Sequence, residues 1–277
     1  MSVKIDASGR RSVQAEVEVP GTPEQVWQAI ATGPGVSSWF MPADIDEREG
    51  GSVVCHFGPG MDSVATVTAW DPPRRFAAES QDLGPEAPSI ATEWIVEARS
   101  GGTCVVRVVH SLFASSDEWD NQLESFESGW PGFFRILRLY LSHFRGQRCS
   151  ILQLMGSASG PEPAAWEALT GALGLAGAVP GERRTTPSGT PPLAGTVEPI
   201  EKGKHPHTLL LRLEEPASGI ASLGAFTWGD QVHLSISLYL YGDEASAAVT
   251  RDEPLWRAWM AEHFPAAGQS PCEPAPP

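Results

Sequence analysis

One motif occurs twice in this chain, and it limits the possible folds more than anything else does. "GTPEQVWQAIATGPG" (21–35) returns as "GPEPAAWEALTGALG" (160–174), which places Trp166 139 residues after Trp27 and Leu169 where Ile30 stood. A repeat of that period is too long for a solenoid and means two copies of one domain. A length of 277 residues suits two cores rather than one.

Each copy follows the same plan. In the first, "VQAEVEV" (13–19) alternates apolar and polar side chains, as a half-buried strand does. Thr22, Pro23 and Gln25 then supply an N-cap, a first-turn proline and a capping box. A second short segment, "GVSSWFMP", ends at Pro42. Five strands follow, "GGSVVCHFG", "DSVATVTAW", "RRFAAES", "SIATEWIVEAR" and "GTCVVRVVHSLF", separated by Gly, Pro and Asp signals. Their spacing predicts an antiparallel meander closed by one long helix.

The second copy restarts with "CSILQLMGS". It continues through "AGTVEPIEKGKHPHTLLLRL" and a hairpin, "GIASLGAFTW" with "DQVHLSISLYLYG", turning at Gly229-Asp230. It ends in "DEPLWRAWMAEHF". Where the first copy has a hairpin around His56, this one has "VPGERRTTPSGTPPLAG" (179–195), which lacks strand periodicity and reads as a loop. Its closing helix reads as shorter, and the tail "PAAGQSPCEPAPP" as disordered.

The first closing helix carries Trp119, Leu123, Phe126, Trp130, Phe133, Leu137, Tyr140 and Phe144 at steps of four and three, a seam laid lengthwise on something apolar. Acids come early and arginines late, as one continuous helix prefers. Yet Gly129-Trp130-Pro131-Gly132 stands in the middle. A proline there disturbs the helix, so the reading is a bent helix whose aromatics line a gap, roofing a cavity. Gly129 and Gly132 leave room for a ligand near the backbone.

The order strand, two short helices, meander and long helix resembles the helix-grip fold of the START-like (SRPBCC) superfamily. So do "VPGTPEQVWQAIATGPGVSSWFMP" (19–42), "GG" at 50–51, "WDPPRRF" at 70–76 and "GW" at 129–130. Within that superfamily they resemble the subfamily named for its similarity to the activator of the heat-shock chaperone ATPase. The likeness covers residues 12–145, while residues 149–265 depart from it. The tandem layout is similar to two-domain START-like proteins of bacterial polyketide gene sets, including enediyne sets of the dynemicin kind. The expected fold class is α+β with two tandem helix-grip domains, each an antiparallel sheet gripping a long C-terminal helix, the second truncated. The boundaries are 1–147 for the complete domain, 148–265 for the degenerate one and 266–277 for the tail.

Composition narrows the function. A net charge of −15 and a pI near 4.8 argue against nucleic acid, which needs clustered Lys and Arg, and against an anionic membrane surface. The N-terminus shows no signal-peptide core, and the four cysteines (55, 104, 149 and 272) form no CxxC pair, so a cytoplasmic protein is expected; no cofactor is expected, and a monomer is favoured with the oligomeric state left open. The thiols read as buried small hydrophobes. No GxSxG elbow, Walker loop, HExxH or GxGxxG after a strand is present. His205-Pro206-His207 sits in a turn without a nearby carboxylate pair and is not expected to hold a metal.

Alternation sends Trp94 toward the helix and Arg107 outward, and it leaves His110 on an apolar wall. There His110 is either a structural histidine or a hydrogen-bond partner or base for a ligand. The face of His56 is open. Trp39, Phe40 and Met41 are either core or a rim. The expected ligand-binding set is Trp39, Phe40, Met41, His56, Trp94, His110, Phe126, Trp130, Phe133, Phe134 and Leu137.

Two functions follow. The first is non-catalytic binding of a hydrophobic small molecule; the resemblance implies a polyketide or linear polyene, in secondary-metabolite biosynthesis or self-resistance. The second is a cyclase or aromatase using His110, with His56, as acid and base. A chaperone activator has only the family name behind it. The second copy reads as mainly architectural. Its strand 231–241 places His233, Tyr239 and Tyr241 on a face expected to meet the first domain.

Overall fold

A computed structural model describes residues 3–58, 60–84, 87–114, 116–200 and 206–265. The tail 266–277, Cys272 and His205 lie outside the described residues. Contacts divide the chain into two compact units, 1–146 and 147–277.

The first unit runs β1 (Lys4–Ile5), β2 (Arg10–Pro20), α1 (Pro23–Ala31), α2 (Gly33–Val36), β3 (Ala43–Ile45), β4 (Ser52–His56), β5 (Asp62–Asp71), β6 (Arg75–Ser80), β7 (Ile90–Ala98), β8 (Thr103–Phe113) and α3 (Asp120–His143). The strands form one antiparallel sheet in the order β1-β2-β8-β7-β6-β5-β4-β3. It is the expected meander, with the first long strand closing against the last. Thr22 caps α1 through the full capping box. Strands β1 and β3 were not foreseen, because two or three residues are too short to show a period.

Helix α3 is continuous across Gly129-Trp130-Pro131-Gly132. Pro131 stands exposed on the solvent side, and lacking an N–H it forgoes the bond to the Glu127 carbonyl. Arg11, at the start of β2, grips Asp120 in the first turn of α3 through two bonds of 2.6 Å. A carboxylate at a helix N-terminus is favoured by the dipole as well, so this pair fixes where the helix begins against the sheet.

The second unit runs β9 (Cys149–Ala158), α4 (Glu162–Ala172), β10 (Arg183–Thr185), β11 (Ala194–Val197), β12 (Thr208–Glu215), β13 (Gly219–Trp228), β14 (Gln231–Tyr241) and α5 (Ala245–His263). Its sheet order is β10-β11-β12-β13-β14-β9. The segment 179–195, expected to be a loop, instead contains β10 and the start of β11, paired antiparallel through Arg183↔Thr196 and Thr185↔Ala194. Three backbone-paired residues need no apolar alternation, so the pattern of side chains could not reveal them. The closing helix spans 19 residues against 24 in α3, shorter as expected. Tyr239 and Tyr241 lie on the sheet face opposite the leucine core and are buried.

Candidate functional site

In the first unit the sheet face toward α3 is set by strict alternation. Val106, Val108, His110 and Leu112 of β8 point inward, as do Thr92, Trp94 and Val96 of β7; Arg107 points out to Glu16 and Glu97. The backbone of α3 runs along β2 and β8. Helices α1 and α2 cover one end of the same face, where Trp27 packs edge-on against Trp70 and Phe76.

His110 is 7% exposed and both of its ring nitrogens are engaged. The Trp130 indole N–H donates to its Nε2 at 2.7 Å, and its Nδ1 lies 3.0 Å from the Thr92 hydroxyl. An indole can only donate, so Nε2 carries no proton and Nδ1–H donates to Thr92. Burial pushes the imidazole down to about 4, because a charged ring would be stranded without water. Such a histidine has no free nitrogen with which to move a proton near neutral pH. Its geometry is that of a structural histidine.

The rings around Trp130 touch one another. Phe40 lies 5.4 Å from Trp130 and 4.6 Å from Phe133, while Trp94 and Phe134 sit 5.0 and 5.5 Å from Trp130. Phe126 packs on His110 at 5.0 Å. Aromatic pairs at these separations are in favourable contact. The expectation that these rings line a gap directly under the breaker is therefore corrected: there they fill it. Trp39 and Leu137 are fully buried core, and the Trp39 indole is bonded to the Ala29 carbonyl.

Beside the ring cluster the inward face of the sheet is only partly covered. On β4, β5, β6 and β7 the inward positions next to the cluster include Cys55, Ser63, Ala65, Ser80 and Thr92, set among Val53 and the buried Val67, Ala78 and Ile90 through the registers Cys55↔Ser63, Val53↔Ala65↔Ser80↔Ile90 and Val67↔Ala78↔Thr92. All five are small and only half-buried. Phe40, Met41, Phe126 and Phe133 are half-buried too. Phe57, at the tip of the β4–β5 hairpin, is exposed and meets Phe40 at 6.2 Å. Small inward side chains that still reach solvent form the floor of a groove, with the phenylalanines along its side. An added Cβ at Gly129 or Gly132 meets no atom within 4 Å. The floor residues were missed because a small residue on an inward position looks like weak core in a sequence.

His56 is not with them. Its ring bridges Asp62 at 3.0 Å and Asp44 at 3.1 Å on the opposite, outer face, and those carboxylates hold its pKa above the usual value. The Cys55 thiol does face the groove, but burial, with Asp82 nearby, pushes it up to about 11. At that value it is a poor nucleophile.

In the second unit the corresponding face is closed. Leu209, Leu211, Leu213, Leu223, Leu234, Ile236 and Leu238 pack with Trp256 and Trp259 in one buried cluster. His207 has found a carboxylate: Glu162 of α4 lies 2.8 Å away and also accepts from Thr227. No group of His, Cys, Asp and Glu able to hold a metal occurs among the described residues. No described helix is long and apolar enough to cross a membrane.

Sheet and grip helix define a class: the first unit has the α+β helix-grip fold of START-like (SRPBCC) proteins. Residues 20–142 match the family described as "Activator of Hsp90 ATPase homolog 1-like protein", in agreement with the resemblance read over 12–145. The match lies within the first unit. No curated protein sequence matches the chain. Among solved structures, CalU16 from Micromonospora echinospora is 18% identical at a TM-score of 0.41, over 51% of this chain and 83% of its own. DynU16, described as a putative protein in the dynemicin biosynthetic locus, is 19% identical at 0.42, over 90% and 95%. BexL, a di-domain ARO/CYC from the BE-7585A biosynthetic pathway, is 13% identical at 0.44, over 92% and 99%.

Proposed function

We propose that the first unit binds one hydrophobic small molecule in the groove beside α3 and carries or sequesters it without turning it over. The ligand class is a polyketide or linear polyene, as the START-like resemblance implies, in secondary-metabolite biosynthesis or self-resistance. The observation that carries the reading is the floor of small, half-buried side chains, Cys55, Ser63, Ala65, Ser80 and Thr92, beside Phe40, Phe126 and Phe133. A largely apolar cleft with a few polar groups matches the usual make-up of small-molecule sites; here the Ser63 and Ser80 hydroxyls both donate to the Asp82 carboxylate at one end of the floor. Against catalysis stand the doubly bonded His110 and the raised Cys55 thiol.

Tryptophan fluorescence tests it, since Trp94 and Trp130 adjoin the groove. Titration with a linear polyene is expected to quench the emission saturably. Ala65→Phe, which fills the floor, is expected to weaken binding at least tenfold while leaving the circular dichroism spectrum unchanged. No quenching by any extended apolar compound would sink the proposal. Turnover of a polyketide chain that is lost in His110→Ala would replace it with the cyclase reading.

A further inference from the structure

The other face of the first sheet holds a second cavity, of about 490 Å³, lined by Arg10, Glu79, Pro88, Ser89, Ser111 and Phe113 among others. It shares none of the groove's floor residues. Register explains its floor: Glu79, Ala91, Ser111 and Ser12 stand in one cross-strand row on β6, β7, β8 and β2. With strands about 4.8 Å apart, Glu79 and Ser111 sit roughly 10 Å from each other across Ala91. The Arg10 guanidinium reaches back over the row and donates to the Ser111 hydroxyl at 2.6 Å, and Ser111 is only 1% exposed as a result.

The charges here differ from those around them. Neighbouring arginines are matched: Arg11 to Asp120, Arg75 to Glu93, Arg107 to Glu16 and Glu97. Among the described residues, neither the Arg10 guanidinium nor the Glu79 carboxylate forms an ion pair, although the Asp6 carboxylate, which accepts from the Arg10 backbone N–H at 3.1 Å, lies near enough to feel the Arg10 charge. A chain with 34 acidic side chains against 19 basic ones thus leaves a guanidinium and a carboxylate apart, facing one cavity. Beside them the Phe113 ring is 64% exposed. A guanidinium with most of its five donors free recognises a carboxylate in a forked, charge-assisted arrangement. A carboxylate at the other side of the floor suits an ammonium, and an exposed ring suits an apolar side chain.

We propose that this cavity is a second small-molecule site, for a zwitterion of the amino-acid type with an apolar side chain. Its carboxylate meets Arg10, its ammonium meets Glu79 and its side chain lies on Phe113.

Isothermal titration of the full chain with L-phenylalanine is the test, with 3-phenylpropionate and 2-phenylethylamine as probes that each lack one charge. Phenylalanine is expected to bind saturably, and each half-charged analogue at least tenfold more weakly. Arg10→Ala and Glu79→Gln should each reduce affinity at least tenfold, and Phe113→Ala at least threefold, with unfolding midpoints unchanged. The same variants should leave polyene quenching intact, so this site and the groove stand or fall separately. Absence of saturable heat at millimolar phenylalanine overturns the proposal. So does equal binding of either analogue, or affinity that survives both charge substitutions.

Discussion

His110 shows how one side chain ties chemistry to stability. Its neutral form is held by two hydrogen bonds, and its charged form would set an N–H against the Trp130 indole N–H. In the unfolded chain the imidazole titrates near 6.5, whereas in the fold it titrates at about 4. The unfolded state therefore binds the proton more readily across that window. The associated stability is complete above about pH 6.5 and is lost as pH falls toward 4, by about 3 kcal/mol. Urea unfolding at several pH values is expected to show this slope in the wild type and not in His110→Gln. Parallel curves for the two would mean the histidine is not buried as described. Alternation on β8 placed His110 inward from the sequence alone. Which groups it met depended on α3 crossing β8 with Trp130 at that level.

At the scale of elements, α3 carries its breaker on the water side, where the missing bond costs least. The space at its glycines decides the sign of a substitution there. A Cβ at Gly132 meets nothing within 4 Å, so Gly132→Ala is expected to raise stability by about 0.5–1 kcal/mol through backbone entropy. Gly156 on β9 is the opposite case, since a Cβ would come within 2.6 Å of the Phe264 carbonyl oxygen and 2.8 Å of the Met260 methyl. Gly156→Ala is expected to cost about 1–3 kcal/mol by overpacking. Denaturant midpoints measure both, and equal shifts would contradict the packing. Helix α3, α1 with its capping box and the five-stranded meander were legible because each is long enough to repeat its own period. Strands β1, β3 and β10, at two or three residues, were not.

For the whole molecule, the two units differ in what their inward strands carry. The first places Cys55, Ser63, Ala65, Ser80 and Thr92 there, half-buried, where the proposed groove lies; the second packs leucines into a buried core. Each chain should then bind one apolar ligand, and titration with a tight-binding polyene is expected to end at one equivalent. An end point of two would show that the second unit also opens. The net charge of −15 acts at this scale too, repelling phosphate-rich partners rather than shaping either site.

By itself, the sequence determined the repeated helix motif, the α+β class, the five-stranded meander of the first unit and the inward or outward sense of β7 and β8. All of these follow from local periodicity and from the repeat. Tertiary structure alone decided that the rings around Trp130 close on one another, that His56 turns to the outer face between two carboxylates, and that the open floor lies on β4 to β7. Those outcomes depend on how residues far apart in the chain fill shared volume. Side-chain volume summed across strands is not a property that any one segment displays.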